Sequence, residues 1–370
     1  MTEMLTPSRI QRPLAPTYRI DRSFEWNWQH GPHFDGPWPA VPATPMKTFF
    51  GFPVRSRFGI PPSILPTSRW VQAYARLGFD ILSYKTVRSM PRFCGAPPNW
   101  AYLDEASLVA SMADASLPIV VTDRAPSYAS QVTTAGSFGL PTSTPDVWAD
   151  DMKIARAAVG EGQVFIASVV GTAGPDVSED AFVRDFADLA DRVARLGAQI
   201  VEVDLSCPNV GNVEGMLYMN IALCEHITRA VRKAASNCPV LLKIGAITDD
   251  DRLAALMKAV AGAADGLVLI NAPGRRIVNA DGTPYFGKGR EFAGVTGAAI
   301  KPLALSCVKQ GVRLIEKLRM PLQVVACGGI TTTADIREFI AAGACAAVSA
   351  TAAMFNPYMA VDLKAEAPEI

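Results

Sequence analysis

The chain alternates between short apolar runs and longer segments in which apolar residues recur every three or four positions. Runs of four to eight apolar or alternating residues predict buried strands, and the wider spacing predicts amphipathic helices. The strand pattern occurs in eight segments: 53–60, 80–87, 163–170, 200–206, 239–245, 267–272, 322–327 and 345–350. The helical pattern is clearest in three sets: Phe182, Phe186, Leu189 and Val193; Leu253, Leu256, Met257 and Val260; and Leu305, Val308, Val312 and Ile315.

Eight strands alternating with helices over roughly 300 residues predict an α/β fold, specifically a parallel (β/α)₈ TIM barrel. An open, doubly wound sheet is the alternative. Two stretches, about 92–135 and 274–292, interrupt the repeat. Each follows the end of a strand, where such barrels carry their active-site loops. We therefore expect both to be insertions that cover the site.

The predicted barrel is flanked by two segments of different character. Residues 1–46 are rich in Pro and Trp and have no sustained period, which indicates an N-terminal arm lying on the barrel. A segment that binds a partner protein is the alternative. The barrel itself is expected over 47–357, followed by a C-terminal tail over 358–370.

Composition narrows the classes of partner. The 35 Lys and Arg residues equal the 35 Asp and Glu residues, so no net charge attracts nucleic acid or an anionic membrane. No apolar run approaches the roughly 20 residues of a membrane span, and the N-terminus lacks a secretory signal pattern. A cytoplasmic location follows as the expectation. The seven cysteines form no C-x-x-C pair and there are three histidines, so no metal site is predicted.

The strand at 200–206 delivers a thiol into a loop. Its alternating residues end in Ser-Cys-Pro-Asn, in which Pro208 stops the regular structure. With an ordinary pKa of about 8.5, Cys207 could exchange a proton near neutral pH. A cysteine is more often a packing residue, but the adjacent Asp204 and Asn209 favour a catalytic role here.

Polar side chains also end other apolar strands. Lys85 and Lys243 must each reach water or meet a buried anion, because an unpaired buried ammonium is costly. One interpretation is a structural ion pair of Lys243 with Asp204 or Glu202. The other is a pair of cations lining one pocket for an electron-rich ring or a carboxylate. Asn271, like the amide that follows the thiol, suits a cyclic amide ligand.

The last two predicted strands end in small residues. Gly328 and Gly329 follow one of them, and Ala350 and Thr351 follow the other. Glycines allow close backbone approach and helix N-termini bind anions, so these loops are candidates for phosphate binding. Tight turns between repeat units are the alternative. The pattern is not the G-x-G-x-x-G fingerprint of a dinucleotide-binding fold.

Together these residues resemble a known family. The Leu-Ser-Cys-Pro-Asn sequence at 205–209 resembles the active-site loop of class 1 dihydroorotate dehydrogenases and is also similar to that of dihydropyrimidine dehydrogenases. Further motifs match in the same order: Tyr-Lys-Thr at 84–86, Ser-Phe-Gly-Leu-Pro at 137–141, Leu-Lys-Ile at 242–244, Ile-Asn at 270–271, Gly-Val-Thr-Gly at 294–297, Ile-Lys-Pro at 300–302, Cys-Gly-Gly-Ile at 327–330 and Ala-Thr at 350–351. The resemblance covers about residues 50–357 and implies an FMN-dependent oxidoreductase.

The resemblance assigns roles to individual residues. Cys207 and Lys85 become the catalytic residues, with Cys207 transferring a proton on one face of a small-molecule substrate while hydride passes to or from flavin N5 on the other. Substrate contacts are implied for Ser137, Phe138, Gly139, Leu140, Asp204, Asn209 and Asn271. FMN contacts are implied for Lys85, Thr86, Lys243, Ile270, Gly297, Gly328, Gly329, Ala350 and Thr351. A cysteine in this loop is typical of the soluble class, which implies a homodimer and leaves the electron donor or acceptor open.

Three positions depart from the family pattern. Gly136, Asp204 and Ala272 replace two amides and a hydroxyl that hold the pyrimidine substrate in the family. Lost partners for buried polar groups should weaken orotate binding. The sequence thus predicts oxidation or reduction of a CH–CH or CH–NH bond in a neutral or amine-bearing nitrogen ring. Alternatives are an authentic dihydroorotate or dihydropyrimidine dehydrogenase, a subunit of a larger electron-transfer complex, and a non-redox isomerase or lyase that binds a phosphate ligand.

Overall fold

The computed structural model describes residues 16–206, 216–235 and 237–370. Its strands are β1 Lys47–Phe49, β2 Phe52–Val54, β3 Phe58–Ile60, β4 Ile81–Val87, β5 Trp100–Leu103, β6 Ile119–Thr122, β7 Thr133–Gly136, β8 Val164–Val169, β9 Ile200–Asp204, β10 Val240–Ile244, β11 Gly266–Leu269, β12 Gly274–Val278, β13 Phe292–Gly297, β14 Gln323–Cys327 and β15 Ala346–Val348. Its α-helices are α1 Phe24–His30, α2 Ser68–Arg76, α3 Glu105–Ala113, α4 Pro145–Ala157, α5 Glu179–Arg195, α6 Ile221–Ala234, α7 Asp250–Val260, α8 Lys301–Leu318, α9 Thr333–Ala341, α10 Thr351–Phe355 and α11 Met359–Glu366.

Eight parallel strands close into a barrel in the order β3, β4, β8, β9, β10, β11, β14 and β15, and β15 pairs with β3. Each of the eight strand segments predicted from the sequence overlaps one of these strands. The predicted (β/α)₈ barrel is therefore confirmed, and the open sheet is excluded. Because every barrel strand is covered by helices on one side and by other strands' side chains inside, its residues are almost all buried.

The predicted helix faces are correct on α5 and α7, where all eight named residues are buried. On α8 the prediction is off by about one position. The buried stripe there is Ala304, Cys307, Val308, Gly311 and Leu314. Small residues turn toward the sheet because the helix lies close to it: a Cβ at Gly311 would come within 2.9 Å of Leu269. A hydrophobicity pattern ranks large residues first and so misplaces this face.

The N-terminal end of the barrel is closed by the β1–β2 hairpin and by a buried ion pair. Phe49 and Val54 of the hairpin pack under the apolar side chains inside the barrel. The Lys364 ammonium of α11 lies 2.7 Å from the Asp80 carboxylate, which precedes β4, and the two side chains are 1% and 0% exposed. Ser56 Oγ donates to the same carboxylate at 2.5 Å. This network joins the C-terminal helix to the start of the barrel.

The two interrupting stretches form a second sheet. β5, β6 and β7 of the first stretch join β12 of the second stretch and β13, which begins where that stretch ends, into a closed five-stranded unit, in which β13 pairs with β7 and β12 with β6. Both insertions therefore fold as one body. This body stands at the C-terminal end of the barrel strands.

The described part of the N-terminal segment lies on the barrel. Thr17 donates its backbone N–H to Met354, and its hydroxyl bonds to that of Tyr74 at 2.8 Å. Further along, the Tyr358 hydroxyl donates to the carbonyl of Pro37 at 2.9 Å. The segment thus binds the helices that follow β15. None of the described helices combines the length and the apolar character needed to cross a membrane.

Candidate active site

Two adjoining cavities open at the C-terminal ends of the barrel strands. The larger encloses about 980 Å³, including space open to solvent, and the smaller about 480 Å³. The predicted residues at the first are Lys85, Thr86, Phe138, Leu140, Asp204, Lys243, Asn271, Ala350 and Thr351. Those at the second are Lys243, Ile270, Asn271, Gly297, Gly328, Gly329, Ala350 and Thr351. One continuous site therefore gathers residues from most of the barrel.

Four predicted residues stand apart from that set. Ser137 and Gly139 alternate with the cavity-lining residues of their loop and do not line either cavity themselves. Cys207 and Asn209 lie outside the described residues. Their roles remain predictions from the sequence.

The lysine of β10 sits beside buried acids. Lys243 is 5% exposed, is paired in register with Asp204 of β9, and its charge acts on the adjacent Glu202. Burial raises the pKa of Glu202 to about 7; the positive charge of Lys243 and a hydrogen bond with Ser168 oppose the rise, while the charge of Asp204 adds to it. The two sequence interpretations of Lys243 are thus compatible, because it faces anions inside the barrel and also lines both cavities.

This buried carboxyl predicts a pH dependence of stability. Because the folded state holds the Glu202 proton up to about pH 7 and the unfolded state releases it near its ordinary pKa of 4.5, the free energy of unfolding should fall by about 3 kcal/mol as the pH rises through this window. Glu202→Gln carries no such proton, so its stability relative to wild type should rise with pH by that amount. Denaturant unfolding at several pH values measures the difference.

The matched control is Glu316→Gln on the exposed side of α8. Its stability relative to wild type should stay constant over the same pH range. Parallel curves for wild type and Glu202→Gln would contradict the predicted titration.

The loop that carries the thiol begins at a fixed point. Asp204 Oδ1 accepts from the backbone N–H of Ser206 at 3.1 Å and from the Asn271 amide at 3.4 Å. The Asn271 amide nitrogen also donates to the Ser206 carbonyl at 2.8 Å, and the Asn271 amide oxygen accepts from the Ala272 N–H at 2.8 Å. Asn271 therefore holds the end of β9 in place. Because its donors and acceptor serve the protein, little of its capacity remains for a ligand.

The loop after β7 is shaped by a glycine next to an aromatic ring. A Cβ at Gly136 would come within 3.1 Å of Phe138 Cε2, so the ring lies where a larger residue would place its side chain. Asn99, which sequence reasoning missed, fixes this loop: it donates to the Ser137 carbonyl at 3.0 Å and accepts the Ser137 N–H at 2.9 Å. Leu140 follows with a positive φ of 54°.

The smaller cavity has the character of an anion site. Gly328 and Gly329 have positive φ values of 116° and 72°, and a Cβ at Gly329 would collide with the backbone of Lys301. The glycine pair is therefore required by the backbone path, and both glycines line the cavity together with Ala350, which precedes α10. Thr351 begins that helix, and its hydroxyl donates to Thr296 at 2.9 Å. These groups fit a phosphate.

Comparison with known proteins places the chain in a family. The sequence profile of the dihydroorotate dehydrogenase family matches residues 133–370. The chain is 32% identical to a dihydroorotate dehydrogenase of Dictyostelium discoideum over 94% of its own length and 96% of that protein. It is 30% identical to the catalytic subunit of a dihydroorotate dehydrogenase B (NAD(+)) of Malacoplasma penetrans, over 53% of its own length and 60% of that subunit.

Solved structures agree on the fold. DHODH of Eimeria tenella in complex with ferulenol superimposes with a TM-score of 0.69, covering 92% of this chain and 88% of the other at 16% identity. Ligand-free DHODH from the same organism gives 0.68. At such identity the match supports the barrel fold alone.

The chain is thus an α/β-barrel oxidoreductase, as the fold and the relatives define it. It belongs to the dihydroorotate dehydrogenase family. The resemblance inferred from the short motifs is confirmed.

Proposed function

We propose that the protein is an FMN-dependent oxidoreductase whose substrate is a small nitrogen-containing ring other than dihydroorotate. The observation that carries the proposal is the shared lining of the larger cavity: Lys85 and Lys243 face the same space as the carboxylate Asp204. The lysines suit an electron-rich cofactor. The carboxylate suits a substrate that donates an N–H.

The residues around the two cavities fit FMN. The buried ammonium groups of Lys85 and Lys243 would stabilise electron density on the flavin ring, and the glycine turn at 328–329 with the start of α10 would hold the phosphate. Gly297, with a positive φ of 100°, has no room for a side chain because a Cβ would collide with the Val132 carbonyl. When bound, FMN supplies hydride transfer at its N5 atom.

The protein's own acid and base groups would handle the proton. Cys207 lies outside the described residues but directly follows Ser206 in the sequence, and the Ser206 backbone is held by Asp204 and Asn271, so the Cys207 thiol is the proposed proton donor or acceptor. Asp204, 3% exposed, would accept the N–H of the ring and orient it. A substrate carboxylate would meet this negative charge. The same site therefore disfavours orotate.

The substrate part of the proposal predicts a gain of function. The double variant Asp204→Asn, Ala272→Ser restores residues of the family pattern, and its kcat/KM for dihydroorotate should exceed that of wild type by at least about 100-fold, because a charge is removed and two hydrogen-bonding groups return. Flavin absorbance of both proteins, as purified or after reconstitution, verifies that the cofactor site is unchanged.

Turnover of dihydroorotate by the wild-type protein with kcat/KM above about 10⁴ M⁻¹s⁻¹ would refute the substrate proposal and leave the cofactor proposal standing. A colourless protein that rejects FMN would refute the cofactor proposal. An authentic dihydroorotate dehydrogenase is the second candidate, favoured by the near full-length match to the Dictyostelium discoideum protein. In either case we propose a homodimer, which light scattering would report as twice the chain mass.

A further inference from the structure

Four aromatic side chains form one wall of the larger cavity. Tyr18, Phe24, Trp100 and Phe138 all line it, and we call them the aromatic wall. Phe138 stands at the centre: its ring meets Trp100 edge-on at 5.6 Å, Tyr18 at 6.0 Å and Phe24 at 6.3 Å between centroids. Such edge-to-face arrangements are favourable and hold the rings in place.

Half of the aromatic wall comes from the N-terminal segment. Asn27, fully buried, accepts from the Arg19 N–H at 2.8 Å and donates to the carbonyls of Arg19 and Ser23 at 2.9 Å. These bonds close the loop that lies between Tyr18 and Phe24. Because Thr17 also forms hydrogen bonds with Met354 and Tyr74, this part of the segment is held against the cavity.

The aromatic wall changes the chemistry of the cavity. Where the family pattern carries an amide, Gly136 makes room for the Phe138 ring. Among the described residues that line the cavity, Asp204 is the one carboxylate and no arginine is present. The buried indole N–H of Trp100 has no hydrogen-bond partner within the described part of the chain. Beside the two lysines, aromatic surface and one carboxylate thus stand where the family pattern carries two amides.

We propose that the substrate of this site is a nitrogen ring that is fused to, or carries, an aromatic group, which packs against the aromatic wall while its N–H faces Asp204. This inference rests on the proposed function and specifies its substrate class. Burial of an additional ring against such a surface contributes strongly to affinity. A small, highly polar ring would leave the aromatic wall facing water.

Binding of three probes to the FMN-loaded protein tests the inference by calorimetry. 1,2,3,4-Tetrahydroisoquinoline combines an aromatic ring with a ring amine, piperidine keeps only the amine, and 2-naphthoate keeps the aromatic system but carries a carboxylate. The first should bind at least roughly tenfold more tightly than either of the others. Equal binding of piperidine and tetrahydroisoquinoline, or tighter binding of naphthoate, would overturn the inference.

Two variants in α1 test whether the effect is specific to the side chain that lines the cavity. Phe24→Ala should weaken tetrahydroisoquinoline binding about three- to tenfold and leave piperidine binding unchanged. The control is Trp26→Ala in the same helix. The Trp26 ring stacks on His30 and does not line the cavity, so this variant should bind tetrahydroisoquinoline as tightly as wild type does. Equal losses in both variants would refute a specific role of Phe24.

The Phe138→Met variant gives an independent reading, since it keeps an apolar side chain of the family type at the centre of the aromatic wall. It should lower the preference for tetrahydroisoquinoline over piperidine. Loss of preference with full flavin absorbance supports the inference. Absence of flavin absorbance in the wild-type protein refutes the proposed function, whereas a yellow protein without aromatic preference refutes only this inference.

Discussion

Replacing Lys364 by methionine should lower the free energy of unfolding by about 3–5 kcal/mol, because it leaves the buried Asp80 carboxylate without its cation. The ammonium lies 2.7 Å from that carboxylate and also donates to the Gly78 carbonyl at 2.5 Å. Burial raises the pKa of Asp80, and the charge of Lys364 opposes this rise, so the ammonium stabilises the ionised carboxylate. Urea denaturation measures the loss.

Lys153→Met is the matched control for this prediction. Lys153 pairs with Asp150 at 2.9 Å on the exposed face of α4, with side chains 61% and 76% exposed. Because water screens this exposed pair, its removal should change the free energy of unfolding far less than Lys364→Met does. The double variant Lys364→Met, Asp80→Asn should recover part of the loss, since no unpaired charge remains. A Lys364→Met protein as stable as the Lys153→Met protein would show that the buried pair is not required.

The second large effect is expected at the thiol: Cys207→Ala should lower kcat by about 10²- to 10⁴-fold, the usual contribution of a general acid or base. Ser206, the residue before it, is held at its backbone N–H by Asp204 and at its carbonyl by Asn271. Because Ser206 is held at the end of β9, we expect the thiol of the next residue to reach the substrate. Turnover of any cyclic substrate that bleaches the wild-type flavin measures the effect.

Two further results distinguish proton transfer from a structural role of the thiol. The Cys207→Ala protein should keep its flavin, and its pH–rate profile should lose the limb that belongs to the thiol. The control is Cys238→Ala, whose partly exposed thiol donates to the Ala198 carbonyl away from both cavities and should leave kcat unchanged. A Cys207→Ala protein with nearly full kcat would exclude the thiol as acid or base.

The barrel could be predicted from the sequence because its strands are buried on both faces. Largely apolar runs such as 164–169 are their direct signature, and the spacing on α5 marks its buried face. The buried face predicted for α8 is off by about one position because close packing selects small residues, which carry little signal in a hydrophobicity pattern. Packing distance, rather than apolar character, decides there.

The candidate active site could be predicted in part, because charged residues at the ends of apolar strands are conspicuous in a sequence. Lys85 and Lys243 are such residues. The aromatic wall could not be predicted, because Tyr18 meets Trp100 and Phe138 only through the fold, across long separations in sequence. The pairing of β7 with β13 is likewise invisible to a local pattern. Such long-range contacts depend on the whole architecture.

The hydrogen bonds between Thr17 and Met354, which follows β15, have a consequence for biosynthesis. The chain is made from its N-terminus, so Tyr18 and Phe24 leave the ribosome long before Met354 and Tyr358, which anchor their segment. Strand β3 is likewise made long before β15, the strand with which it pairs. The bonds that anchor the N-terminal half of the aromatic wall can therefore form only after the last barrel strand has been made. A nascent chain that ends before Met354 would carry the lysines of the site without these anchoring bonds.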